Sequence, residues 1–258
     1  MREQRRVQVN DVKGITILGT GRSGTSFLAN CLANNGIFAG DCTGSTRENL
    51  AVRQLNDSYL EQYHQGKTRS KLPYGVLPDS EIKVNPEYKE RAIRVVDGMN
   101  HSVTEATGGS SWWNPSPKYW FFKDPRTTLL HDMWVDQCDI MIGVFRNPVE
   151  VVNSYMKLLD VYYPGESKAE GFVNMLDYWK RFNQSLIHAF NHYDKPKWML
   201  DFNGDVNAQM DRLFDELGIP DSVHTYDKGK VENLSDDIYD DTAVETIYSQ
   251  LKQLKNLQ

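Results

Sequence analysis

The chain has 258 residues, a formal net charge of −6, 40% hydrophobic and 25% charged residues, and 3 cysteines. These values suit one α/β domain with a sizeable core and exclude general attraction to nucleic acid or anionic membrane, so an anionic ligand would have to be held by a local cationic pocket. Cys31, Cys42 and Cys138 fit neither a disulfide framework nor a zinc pattern, and the polar start MREQRRVQVNDVKG is no signal peptide, which leads to the expectation of a metal-free cytoplasmic protein without a membrane span.

The stretch from 14 to 28, GITILGTGRSGTSFL, organises the rest. Ile15, Thr16, Ile17 and Leu18 favour a buried strand, and Gly19, Gly21 and Gly24 give the turn after it conformational freedom. A helix is predicted over 25–34 with Phe27, Leu28, Cys31 and Leu32 on one face, so that its free N-terminal amides point into the turn. That is a cradle for a phosphate-like anion. The spacing approaches GxxxxGK[ST], with Gly19, Gly24 and Ser26 in register, but Thr25 stands where the lysine would be. Loss of that lysine argues against ATP or GTP hydrolysis and leaves Arg22 as the loop's cation.

Farther on, 36–39 is a candidate second strand, followed by Asp41. Ser45 or Thr46 would cap a helix over 48–62, with Glu48 in its first turn. Residues 65–86 read as a loop or lid and 86–107 as a helix. The loop GGSSWWNPSP carries Trp112 and Trp113, either an acceptor wall or the closure of a core edge. A strand over 119–122 delivers Lys123, Asp124, Pro125 and Arg126 at its carboxyl end, where open α/β sheets bind ligands. A short helix at 127–135 leads to a strand at 139–145 that ends in Arg146-Asn147-Pro148, and Pro148 opens a helix containing Ser154. A long amphipathic helix at 167–192, a strand at 197–202, a helix at 205–217 and a helical C-terminal segment at 235–258 complete the order. The alternation predicts a single domain, 1–258, built on a P-loop-like parallel sheet of about five strands with helices on both faces.

Three segments in register, GTGRSGTSFL at 19–28, FKDPR at 122–126 and FRNPVEVVNS at 145–154, together resemble the sulfotransferase family that uses 3′-phosphoadenosine-5′-phosphosulfate, PAPS. The first is similar to the Arg-containing phosphosulfate loop of its tyrosylprotein, carbohydrate and bacterial members. The resemblance implies that Gly21, Arg22 and the amides of Ser23, Gly24, Thr25 and Ser26 hold the 5′-phosphosulfate, and that Arg146 and Ser154 bind the 3′-phosphate. It further implies that Lys123, with Arg22, offsets charge on the transferring sulfuryl group. Arg126 either shares that work at the acceptor or forms a salt bridge within its loop. The catalytic histidine of the family's cytosolic branch has no match. Glu48 is favoured as the base, with Asp41 and Asp124 in reserve. The implied reaction moves a sulfuryl group from PAPS to a hydroxyl of a sugar, alcohol or small metabolite by in-line transfer, releases 3′-phosphoadenosine-5′-phosphate and needs no metal. A P-loop kinase and an inactive nucleotide-binding module are the alternatives. The acceptor's identity and the oligomeric state are not legible.

Overall fold

A computed structural model describes residues 12–63, 82–108, 119–159, 165, 167–219, 226 and 239–256. Its centre is a sheet of strands β1 (Lys13–Gly19), β2 (Tyr119–Lys123), β3 (Ile140–Phe145) and β4 (Lys197–Asp201), all parallel, in the order β2-β1-β3-β4. Both faces are covered, which is why the strands read as continuous apolar runs rather than as alternating ones. Ile15, Ile17, Phe121, Ile142 and Val144 face helices α1 (Thr25–Asn34) and α7 (Val206–Glu216). On the opposite face, Leu18, Met141 and Phe145 pack against α6 (Lys168–His192) and α8 (Thr242–Asn256). Trp120 and Phe122 share a third cluster with α2 (Leu50–Tyr63), α3 (Pro86–Gly108) and α4 (His131–Trp134).

The strand expected at 36–39 is a correction: it contributes one parallel bridge, Phe38 to Trp120, so four strands rather than five are formed among the described residues. Gly40, at φ 65°, turns the chain away before a ladder can extend. The second helix also starts later than expected. It begins at Leu50, and Asn49 caps it by accepting a hydrogen bond from the Val52 amide at 3.1 Å, so Glu48 lies in the preceding loop and not in a first helical turn. The short helix expected at 127–135 is instead a 3-10 turn at Pro125–Thr128, the helix α4 and a second 3-10 turn at Val135–Gln137. Asn147 and Pro148 open α5 (Pro148–Met156), Ser167 and Glu170 form a capping box on α6, and Asp205 caps α7.

The chain leaves β1 for β2 on one side and returns to β3 on the other. The turns after β1 and β3 therefore diverge at their carboxyl ends and open a crevice. Among the described residues no helix is long and apolar enough to cross a membrane.

Candidate active site

The turn between β1 and α1 is fixed from several directions. Arg22 and Gly24 adopt φ of 66° and 106°, and a Cβ on Gly24 would stand 2.3 Å from the Phe202 ring, so only glycine fits there. Ser23 donates from Oγ to the Thr20 carbonyl at 2.7 Å. The Gly21 amide donates to Tyr178 Oη at 3.1 Å, and a Cβ at Gly21 would collide with the Tyr155 hydroxyl. The amides of Thr25 and Ser26 belong to the first turn of α1, where no preceding helical carbonyl exists to receive them.

Lys123, the last residue of β2, is 1% exposed; its Nζ lies 3.4 Å from Ser26 Oγ and 3.6 Å from Glu48 Oε1. Burial pulls the lysine below its ordinary pKa, and the Glu48 and Asp124 carboxylates oppose that shift. Glu48 reaches this position because the Asn49 amide donates to the Lys123 carbonyl at 3.1 Å, pinning the start of α2 to the end of β2. Arg53, one turn into α2, stands 3.5 Å from the other oxygen of Glu48.

Asp124 is fully buried and accepts from Asn56 Nδ2, the Arg126 amide and Arg126 Nη1. Burial raises its pKa against the lowering effect of the Arg126 guanidinium. Its carboxylate thus anchors Arg126 rather than facing open space. The Arg126–Asp124 pair is the salt bridge within the loop that was the alternative for Arg126, which also pairs with Asp57 of α2 at 2.8 Å. Asp41 is exposed and does not line the central cavity. Trp112, Trp113 and most of the 65–86 loop lie outside the described residues.

The turn after β3 carries a second cationic cluster. Arg146, 8% exposed, donates from Nε to the fully buried Glu150 and from Nη1 to the Arg22 carbonyl at 3.4 Å. Its Nη2 is buried without a hydrogen-bond partner. Arg22 Nε donates to Ser154 Oγ at 2.8 Å, so the side chain that the sequence assigned to the phosphosulfate loop reaches the partner of Arg146. Asn203 ties the cluster together by donating from Nδ2 to Glu150 and accepting the Asn147 amide on Oδ1.

A cavity of about 340 Å³ opens beside the glycine turn and the end of β2. Its polar side is made by Arg22, Ser26, Glu48, Arg53, Lys123 and Arg126, and its apolar side by Tyr155, Leu158, Leu159, Met175 and Pro125. Sequence reasoning missed Glu150, Tyr178, Arg53 and Asn203. A carboxylate four residues after Arg146 at a helix start was a readable signal for the first. No local pattern could have announced Tyr178, which lies 157 residues from Gly21.

These features define a parallel α/β protein with cationic side chains and free helix amides gathered at the carboxyl ends of its strands. No protein-family model matches the chain, and a search of curated proteins finds no relative. Among solved structures it is similar to a sulfotransferase domain from the curacin biosynthetic pathway, with a TM-score of 0.51 and 14% identity over 93% of this chain and 98% of that one. At that identity the similarity establishes the shared fold.

Proposed function

We propose that the protein is a PAPS-dependent sulfotransferase. The observation that carries this reading is the buried, unpartnered Nη2 of Arg146 beside the Arg22–Ser154 pair, a second anion site across the turn from the N-terminus of α1. A buried guanidinium donor left without a partner is costly, and a phosphate oxygen would satisfy it. A nucleotide with separate 3′ and 5′ anions uses both places, whereas a nucleoside triphosphate needs only one. The residues fit the donor: the glycine turn leaves no side chain between the α1 amides and a bound anion, and Arg22 stands between the two sites.

When bound, PAPS supplies the sulfuryl group, whose bond to the 5′-phosphate breaks as the bond to the acceptor oxygen forms. Lys123, held beside Ser26, offsets charge on the transferring oxygens and the departing phosphate. Glu48, paired with Lys123 and Arg53 at the cavity edge, takes the proton of the acceptor hydroxyl. Arg146 and Ser154 hold the 3′-phosphate and thereby select the donor.

The test is calorimetric titration with 3′-phosphoadenosine-5′-phosphate, AMP, and ATP with magnesium. Metal-independent binding of the bisphosphate, at least about tenfold tighter than AMP, is expected. Preference for ATP with magnesium would replace the reading with a kinase, and binding of none of the three would remove the nucleotide site.

A further inference from the structure

The two sides of the cavity differ in what they ask of an acceptor. On the acceptor side its cations are joined to carboxylates in one alternating chain: Lys123 to Glu48 at 3.6 Å, Glu48 to Arg53 at 3.5 Å, Arg53 to Asp57 at 3.8 Å, Asp57 to Arg126 at 2.8 Å, and Arg126 to Asp124. Within this chain three cations meet three carboxylates; Arg22, the fourth cation of the lining, stands apart from it and donates to Ser154. Among the described residues the facing wall carries no charge. Leu159 and Met175 are buried at its base, Leu158 is half-buried, and the Tyr155 hydroxyl is spent as a donor to Tyr178 Oη at 3.1 Å. Leu159 is held in place by close approach to α6, since a Cβ on Gly171 would stand 2.7 Å from it.

We propose that the acceptor is an uncharged alcohol or phenol on an apolar body, with its hydroxyl toward Glu48 and Lys123 and its hydrocarbon part against Leu158, Leu159 and Met175. This rests on the sulfotransferase reading. A sugar would bring several further hydroxyls to a wall that offers them nothing, and each group left unpaired weakens binding by about tenfold or more. A carboxylated acceptor would meet arginines already neutralised by Asp57, Asp124 and Glu48. In the reaction the acceptor O–S bond forms, the S–O bond to the 5′-phosphate breaks, and the hydroxyl proton passes to Glu48. The products are a sulfate ester and 3′-phosphoadenosine-5′-phosphate.

Four probes decide the matter: 4-methylphenol, 1-hexanol, 4-hydroxybenzoate and methyl glucoside. Each is titrated by calorimetry into the protein alone and into its complex with 3′-phosphoadenosine-5′-phosphate, and each is assayed for transfer of labelled sulfate from PAPS. The expected result is binding of 4-methylphenol or hexanol about tenfold or more tighter than of the benzoate or the glucoside. Leu158→Glu, at the rim rather than in the core, should abolish that preference while the nucleotide's affinity stays within about twofold. Gly171→Ala, which drives Leu159 into the cavity, should weaken the bulkier phenol more than hexanol. Preference for the glucoside or the benzoate overturns the proposal, and so does unchanged binding of both apolar probes in Leu158→Glu. A protein that takes the apolar probes but not the nucleotide refutes the sulfotransferase reading alone.

Discussion

Arg146→Ala should do two separable things. The substitution removes the cation paired with Glu150, a carboxylate with no exposure that also accepts from the side-chain amide of Asn203. Breaking a buried pair from one side costs about 3–5 kcal/mol, which for a chain of this size lowers the melting temperature on the order of 6–20 °C. Arg146→Ala paired with Glu150→Ala removes both charges and should recover much of that loss, because the stranded carboxylate is the main penalty. It should not recover 3′-phosphoadenosine-5′-phosphate binding, which needs the guanidinium itself and should stay at least about a hundredfold weaker than in the unaltered protein. Thermal melts and calorimetry on the three proteins read both effects. A double variant no more stable than the single one would refute the buried-pair argument. A double variant that binds the nucleotide normally would refute the clamp.

Lys123→Met removes an ammonium that burial disfavours, so stability should hold or rise slightly in a urea melt, whereas sulfate transfer from PAPS should fall about 10²- to 10³-fold; transfer within a few-fold of normal would exclude the assigned role. His131, buried beside His188 and near His192, Asp132 and Lys89, has its pKa lowered from 6.5 to about 4, chiefly by burial. Between those values the unfolded chain binds a proton on this imidazole and the folded chain does not, so stability falls with pH by about 2–3 kcal/mol on going from about pH 7.5 to about pH 4.5. Denaturant melts of His131→Phe at both pH values should show that much less loss, and an identical loss would contradict it.

The strands and most helices were legible because their signals are local: β-branched runs, Pro148 at a helix start, and the amphipathic spacing over 167–192. Local signals also misled. At 36–39 the residues favour a strand, but Gly40 turns the chain out of register after one bridge. At Glu48 a helix-first-turn reading competed with Asn49, whose side chain caps the helix one residue later. The loop glycines could be singled out because few residue types suit such positions, and Lys123, Arg146 and Ser154 because they stand in the segments that carry the family resemblance. Leu158 and Met175 could not be separated from ordinary packing residues, since a cavity wall and a core draw on the same apolar side chains. Tyr178 was invisible for a different reason: its role depends on where a distant helix comes to rest.

One turn of α6 touches three parts of the site. Met175 lines the cavity, Tyr178 receives the Gly21 amide, and Trp179 donates from Nε1 to the Arg146 carbonyl at 3.1 Å. Residues spaced three and four apart move together on a helix, so this turn works as an axle rather than as three independent contacts. A larger acceptor that displaced Met175 would rotate the same axle under the glycine turn and under Arg146, trading donor grip for acceptor room. Leu158, half-buried beyond the last turn of α5, lies off α6, whereas Leu159 packs against α6 at Gly171. New acceptor preferences can be acquired at Leu158 by itself, while Met175 can change only together with the machinery that its helix supports.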